Sequence, residues 1–182
     1  MVEFLAGLLS MVVFPRSRRL KCRRRIVSLW YGMPVRRRAK AVGPGLKCHG
    51  PVHVSRRTSI GEGVSFNGAA VFGTGDVTFG NWVHSGEGLK IFTRNHNYEG
   101  EAIPYDNTFV CKPVKIGDCV WIGAYVILLP GTVIGEGAII QAGSVVHGEI
   151  PPMAIAGGNP AKVFAWRDRE HYNELKSAGR FH

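Results

Sequence analysis

A repeat of six residues limits the possible folds of this chain more than any other feature. Aliphatic residues recur at every sixth position from residue 116: Ile116, Ile122, Leu128, Ile134, Ile140 and Val146. Four positions after each of the first five comes a small or β-branched residue: Val120, Val126, Thr132, Ala138 and Ser144. A period of six fits neither an α-helix nor a plain array of hairpins, but it fits short strands on the flat faces of a triangular prism. Each turn of such a coil buries its aliphatic residues against the turns above and below it.

The same frame occurs earlier in the chain, with a slip of one residue after residue 72. Its predicted inward-facing residues are Val54, Ile60, Phe66 and Phe72 before the slip, and Phe79, Ser85 and Ile91 after it. Their predicted partners include Thr58, Val64, Ala70 and Val83. The chain also contains 24 glycines, well above the usual share of about 7%. This glycine content is expected of a coil with many tight corners.

Two segments break the repeat and divide the chain. Arg94–Pro113 is polar and contains proline and glycine, which predicts a loop projecting from the scaffold. Residues 166–182 carry a charged face around Tyr172 and Leu175, which predicts a C-terminal helix. We therefore expect an N-terminal arm over residues 1–45, a repeat domain over residues 46–165 with the projecting loop 94–113, and the helix.

The arm holds all of the net charge of +10. Residues 1–40 contain eleven Lys and Arg against Glu3 alone, whereas residues 41–182 contain twelve basic and twelve acidic residues. Met1–Phe14 is apolar but shorter than the about 20 residues that cross a bilayer, and its charges follow the apolar run, unlike those of a secretory signal. The sequence predicts a cytoplasmic protein. It leaves open whether residues 1–40 lie peripherally on the inner face of the cell membrane or pack on the domain with their arginines solvated.

Three sequence stretches resemble the hexapeptide-repeat acyltransferases. PVKIGDCVWIGAYVILLPGTVIGEGAIIQAGSVV (113–146) and GGNPAKV (157–163) are similar to the maltose, galactoside and capsular-polysaccharide O-acetyltransferase branch, and IFTRNHNYEG (91–100) is similar to its active-site segment. The resemblance covers about residues 50–166. It implies an all-β fold, a left-handed parallel β-helix of hexapeptide repeats. It also implies a homotrimer with inter-subunit active sites, and acetyl-CoA as cosubstrate.

His96 is the predicted catalytic residue. Acetyl transfer to a hydroxyl needs a base that takes the alcohol proton, and histidine, with an unperturbed pKa of about 6.5, can accept that proton and return it to the departing thiolate. The resemblance places His96 in the active-site segment at the base of the projecting loop. A partner must orient the imidazole, and Glu99, Glu101, Asp106 or a backbone carbonyl are all candidates.

The resemblance also implies binding residues. Asn67 corresponds to a sugar-binding asparagine, although a corner asparagine of the repeat is the alternative. Trp121 is expected to line the cleft beside His96, to pack at the trimer contact, or both. The residues implied for CoA are Ala124, Ala142, His147, Gly148 and Lys162.

Three departures from the branch weaken parts of the resemblance. The pair His147–Gly148 replaces Thr-Lys, and Ala165 replaces a second basic residue, so we expect weaker binding of CoA unless Arg167 or a neighbouring subunit contributes. The acidic acceptor residue of the branch has no counterpart in AAVFGTG (69–75). The acceptor is therefore expected to differ from a simple mono- or disaccharide.

The function predicted from the sequence is O-acetylation of a saccharide hydroxyl in the biosynthesis of capsule, O-antigen or exopolysaccharide. N-acetylation of an amino sugar is the first alternative, and a non-catalytic module that binds membrane or nucleic acid is the second. Few aromatic residues interleave with the basic residues of the arm, which argues against nucleic acid as a partner. A zinc carbonic anhydrase would need three converging histidines, and the four cysteines form no CxxC, so no metal is expected.

Overall fold

A computed structural model describes residues 16–182, and it consists mainly of a coil of short parallel strands. The first face contains β1 (Ala41–Val42), β4 (Thr58–Ile60), β7 (Val77–Phe79), β12 (Val114–Ile116), β15 (Val133–Ile134) and β18 (Glu149–Ile150). The second contains β2 (Lys47–Cys48), β5 (Ser65–Phe66), β8 (His84–Ser85), β13 (Trp121–Ile122), β16 (Ile139–Ile140), β19 (Ala154–Gly158) and β20 (Ala161–Trp166). The third contains β3 (Val52–His53), β6 (Ala69–Phe72), β9 (Leu89–Phe92), β14 (Ile127–Leu128) and β17 (Val145–Val146).

The chain passes through the three faces in turn and then begins the next turn of the coil. This order confirms the prediction of a parallel β-helix built from hexapeptide repeats. The core lies inside the prism, where Phe66, Ser85 and Ile122 stack in register on the second face. All six aliphatic residues from Ile116 to Val146 are at most 2% exposed, and their five small partners are also buried. The inward frame predicted for this half of the chain is therefore confirmed.

The predicted frame is wrong at β6. Phe72 is 44% exposed and stacks outside the coil on Phe92, with ring centroids 4.9 Å apart. Val71 instead stands in register with Ile91 and packs against the core. The frame shifts before Phe72, because two residues separate β5 from β6 whereas three separate β8 from β9, and the predicted partner Ala70 is consequently only half-buried.

A helix that the sequence did not predict, α1 (Arg16–Arg38), precedes the coil. Its C-terminal half packs on β2 and β3, with Val35 completely buried in the core. The Ser28 hydroxyl accepts a hydrogen bond from the Cys48 N–H at 3.0 Å. This part of the arm covers the N-terminal end of the prism, and the coil begins at Ala41, before the predicted boundary at residue 46. Met1–Phe14 lies outside the described residues, and within them no helix is long and apolar enough to cross a membrane.

The C-terminal helix α2 (Arg169–Ser177) is shorter than predicted. Trp166 ends β20, whose side chains alternate in burial because the strand pairs antiparallel with β19. The helix begins after Asp168, whose carboxylate caps it by accepting from the His171 N–H at 3.0 Å. Tyr172 donates to Glu136 at 3.0 Å, so α2 is fixed against a corner of the coil.

Candidate active site

The segment 94–113, predicted to project as a loop, forms an antiparallel hairpin of β10 (Arg94–His96) and β11 (Phe109–Cys111). It leaves the coil between the third and the first face, in the interval between β9 and β12. Asp106 holds the tip of the hairpin, accepting from the Thr108 side chain at 2.5 Å, from the Thr108 N–H at 2.8 Å and from the Glu101 N–H at 3.2 Å. These hydrogen bonds lower the pKa of Asp106 below its usual value.

Thr93 anchors the base of this hairpin to the coil below it. Its buried hydroxyl donates to the Phe72 carbonyl and accepts from the Gly75 N–H, both at 3.0 Å. Gly73 lies beside this contact with a φ of +97°, and a Cβ there would come within 2.5 Å of the Thr93 hydroxyl oxygen. Only glycine fits this close approach without strain. The irregular corner after β6 and the hairpin therefore support one another.

His96 lies on β10 with an exposed imidazole among aromatic rings. Its ring stacks on Tyr105 with centroids 3.9 Å apart and is tilted against Phe109 at 4.8 Å. The Arg94 guanidinium lies over the same Phe109 ring at 4.3 Å. Phe72 and Phe92 complete a groove that opens beside the imidazole. These aromatic residues were not among the predicted site residues, although the frame slip one turn before the hairpin was a signal that could have pointed to Phe72.

None of the three predicted carboxylates orients His96 within residues 16–182. The Asp106 carboxylate accepts from the hairpin tip, and no hydrogen bond or ion pair joins the imidazole to Glu99 or Glu101. In the described part of the chain the imidazole makes ring contacts only.

Asn67 follows β5 at a corner of the second face, and Trp121 lies on β13 of that face. The Asn67 amide donates to the Ser85 carbonyl at 3.0 Å and lies 3.5 Å from the His84 Nε2 atom, so it joins two turns of the coil as a corner asparagine does. Trp121 is 55% exposed and stands in register with His84. A single chain therefore does not bring Trp121 beside the predicted base, and the groove of His96 shares no residue with that of Trp121.

The groove beside Trp121 is bounded by the C-terminal residues. Phe181 stacks on Trp82 with centroids 4.8 Å apart, and the His182 ring lies 6.2 Å from that of His84. Burial is the main reason that the pKa of His84 falls below 6.5, and the positive charges of His182 and other neighbours add to it. His84 is consequently stabilised in its neutral form.

Two of the residues implied for CoA, Ala124 and Ala142, stack on one corner of the coil. The Gly143 N–H donates to the Ala124 carbonyl at 2.8 Å, and a Cβ on Gly123 would come within 2.5 Å of the Ala142 nitrogen. Within residues 16–182 the N–H groups of both alanines have no acceptor. Lys162 is exposed on β20 opposite Gly157, at the end of this corner. Free amides beside small side chains, with an ammonium beyond them, fit a pantetheine arm that ends in phosphates.

The other two, His147 and Gly148, are exposed on a different corner, between β17 and β18. Gly148 has a φ of +71° and open space around its Cα, and its carbonyl accepts from the Val133 N–H at 2.9 Å. A single chain therefore distributes the predicted CoA residues over two corners. Among the described residues, no group of three or more His, Cys, Asp or Glu side chains could hold a metal ion.

Comparison with known proteins agrees with the repeat. The family described as bacterial transferase hexapeptide (six repeats) matches residues 113–148. A putative acetyltransferase of Schizosaccharomyces pombe is 44% identical over 86 residues, which are 47% of this chain and 41% of that protein. The putative lipopolysaccharide biosynthesis O-acetyl transferase WbbJ of Escherichia coli K12 is 39% identical over 84 residues, 41% of this chain and 43% of that protein. The chain thus spans less than half the length of each relative.

A solved structure extends the likeness to nearly the whole coil. The hexapeptide-repeat acetyltransferase of Vibrio cholerae, in complex with acetyl-CoA, superimposes with a TM-score of 0.67 over 92% of this chain and 88% of that one, at 23% identity. At this identity the likeness concerns the fold. The hexapeptide repeat is thus matched over residues 113–148, and the coiled fold is similar to that of the Vibrio cholerae structure.

Proposed function

We propose that this protein is an O-acetyltransferase that moves an acetyl group from acetyl-CoA to a saccharide hydroxyl. The observation that carries the proposal is the position of His96, an exposed imidazole in an aromatic groove on a hairpin that stands off a rigid coil. Such a base can reach a hydroxyl that approaches from solvent. Aromatic faces such as those of Phe109 and Phe72 suit the apolar face of a sugar ring.

His96 is proposed to accept the proton of the attacking hydroxyl and to deliver it to the thiolate that leaves. A backbone N–H is proposed to stabilise the oxyanion, since a coil offers such donors at its corners. The aromatic rings of Tyr105 and Phe109 restrict how the imidazole can turn. These contacts thereby reduce the conformational entropy that the side chain would lose on binding substrate.

Acetyl-CoA is the proposed donor, held along the corner of Ala124 and Ala142. Their unpaired N–H groups in the described chain are available to the amide carbonyls of the pantetheine arm. Lys162 is proposed to meet the phosphates, with His147 and Gly148 contributing from the second corner. Binding of acetyl-CoA by the Vibrio cholerae structure of the same fold supports this assignment.

The active unit is proposed to be a homotrimer. In one chain the groove of His96 and the groove of Trp121 are separate, so a site that uses both needs a second subunit. Exposed aromatic residues on and beside the second face are available for such a contact, with Trp121 at 55%, Phe164 at 63% and Trp166 at 59% exposure. Light scattering coupled to size exclusion should give three times the monomer mass.

The acceptor is proposed to be a saccharide of a surface polysaccharide: capsule, O-antigen or exopolysaccharide. The name of the Escherichia coli relative supports this class. Asn67 is proposed to meet the sugar with the amide oxygen that its hydrogen bonds leave free. A lipid-linked acceptor would be met at the inner face of the cell membrane, by a cytoplasmic protein in peripheral contact through its basic arm.

The test is thiol release from acetyl-CoA against a panel of oligosaccharides and amino sugars, with product analysis by mass spectrometry. His96→Ala should lower turnover by roughly 10²–10⁴-fold, the usual contribution of a positioned base. His171→Ala, which removes an exposed imidazole on α2, is the matched control and should leave turnover unchanged. Undiminished turnover in His96→Ala would refute the proposed base. Acetyl groups found only on amines would favour the N-acetyltransferase alternative.

A further inference from the structure

Helix α1 has an outward face on which apolar side chains are exposed. Leu29 is 67%, Trp30 50% and Met33 46% exposed, because this side of the helix faces away from the coil. Leu29 and Met33 are one turn apart and Trp30 is adjacent, so the three form one patch. A contiguous exposed apolar patch bordered by polar residues often marks a surface that binds a protein or a membrane.

The opposite face of the same helix is fully used in packing. Val35 is completely buried, and Tyr31 packs against the core inside the first turn of the coil. The Ser28 hydroxyl accepts a hydrogen bond from the Cys48 N–H at 3.0 Å. These contacts fix how α1 is rotated on the prism, so the patch of Leu29, Trp30 and Met33 is held outward.

Arginines flank this patch along the helix. Arg25 lies one turn before Leu29, Arg36 two turns after it and Arg37 one turn after Met33, and all three are exposed. Residues 16–38 include no acidic residue. An apolar centre with a cationic border is the pattern of helices that lie in the interface of an anionic bilayer.

We propose that the outward face of α1 docks this protein on an anionic lipid bilayer. Leu29, Trp30 and Met33 enter the boundary between headgroups and acyl chains, where the amphipathic indole ring is favoured. Arg25, Arg36 and Arg37 contact lipid phosphates. This docking surface rests on the peripheral contact proposed above for the basic arm, and its test is separate from the acetyltransferase activity because it needs no turnover.

Charge favours a bilayer over a second copy of the chain as the occupant. Two copies meeting through this face would bring arginine borders together with no carboxylate from α1 to neutralise them. The apolar centre favours a bilayer over nucleic acid, because Leu29 and Met33 offer no ring on which bases could stack. The bilayer satisfies both parts of the surface at once.

The experiment measures co-sedimentation of the full chain with vesicles of equal parts phosphatidylcholine and phosphatidylglycerol, and with phosphatidylcholine alone. The apolar variant combines Leu29→Ser, Trp30→Ser and Met33→Ser, and the charge variant combines Arg36→Glu and Arg37→Glu. Matched controls are Tyr98→Ser, which removes an exposed aromatic side chain from the hairpin, and Arg169→Glu on α2. Circular dichroism melting confirms that each variant is folded.

The wild type should bind the mixed vesicles and bind phosphatidylcholine at least tenfold more weakly. Each α1 variant should lose roughly tenfold or more in partition, and the controls should lose none. Brominated acyl chains should quench the tryptophan fluorescence of the bound wild type, and Trp30→Phe should remove most of that quenching. Three results would each overturn the proposal: binding unaffected by both α1 variants, equal binding to both vesicles, or binding to duplex DNA without binding to vesicles.

Discussion

Two serines that both lie inside the prism should respond in opposite ways to the same substitution. Ser85 is completely buried at an inward position of the second face, in register with Phe66 and Ile122, and within residues 16–182 its hydroxyl has no hydrogen-bond partner. Ser144 is equally buried, but its hydroxyl donates to the Gln141 carbonyl at 2.6 Å and accepts from the Gly158 N–H at 3.2 Å. The environment of the hydroxyl therefore differs while its burial does not.

The expected magnitudes follow from what each hydroxyl does. A buried polar group without a partner costs about 1–3 kcal/mol, so Ser85→Ala should raise the free energy of unfolding by about 1 kcal/mol after the loss of one packed atom. Ser144→Ala removes two hydrogen bonds and leaves a carbonyl and an N–H behind, so it should lower that free energy by about 1–2 kcal/mol. For a chain of this length each kcal/mol corresponds to a shift in Tm of roughly 2–4 °C.

The assay is urea and thermal unfolding followed by circular dichroism at one fixed protein concentration, because an oligomer unfolds in a concentration-dependent way. Ser85→Ala should unfold at higher urea and Ser144→Ala at lower urea than the wild type, with the same slope. If Ser85→Ala were destabilising and Ser144→Ala neutral, hydrogen-bond satisfaction would not be what distinguishes the two positions. The argument from buried polar groups would then be refuted.

Three further predictions concern the coil and its grooves. Ile122→Ala, inside the prism, should cost about 2–5 kcal/mol, whereas Ile127→Ala, half-buried and outward, should cost well under half of that in the same unfolding assay. The pKa of His84 in the folded state lies below its unfolded value of about 6.5, so its neutral form contributes stability above about pH 6.5 that is lost as pH falls through the folded pKa. As the pH is lowered, the Tm of His84→Gln should therefore fall less steeply than the Tm of the wild type. Lys162→Ala should raise the KM for acetyl-CoA with little change in kcat, and an unchanged KM would remove Lys162 from the donor site.

The regular half of the coil could be predicted from the sequence because its core repeats. Every inward residue from Ile116 to Val146 packs on an equivalent residue one turn away, so the spacing of six residues directly predicts which residues are buried. The handedness of the coil does not follow from that spacing and came from the resemblance alone. Helix α1 was not predicted because its apolar residues are divided between an outward and an inward face, and its position depends on Val35 and Tyr31 meeting a coil that starts after them.

The site was predicted less completely, for a reason visible at Phe72 and His96. The resemblance identified His96, but the groove around it is built by residues that share no spacing in the sequence, from β6, β9 and β11. Phe72 was assigned to the core because it fits a count of six from Phe66. The structure reverses that assignment, since the corner between β5 and β6 is one residue shorter than the repeat requires, which brings Val71 to the inward position.

The two insertions into the coil both occur at the corner between the third and the first face, and this coincidence has a physical cause. The flat faces cannot accept an insertion, because a shift of one residue would turn every inward side chain outward. A corner can accept an insertion, provided that the chain then returns to register. The corner after β6 contains extra residues, and the corner after β9 contains the whole hairpin. Thr93 bonds the two insertions together through the Phe72 carbonyl and the Gly75 N–H. The longer corner is thus a support for the hairpin, and loss of the Thr93 hydroxyl in Thr93→Val should move His96 while the core of the coil stays intact.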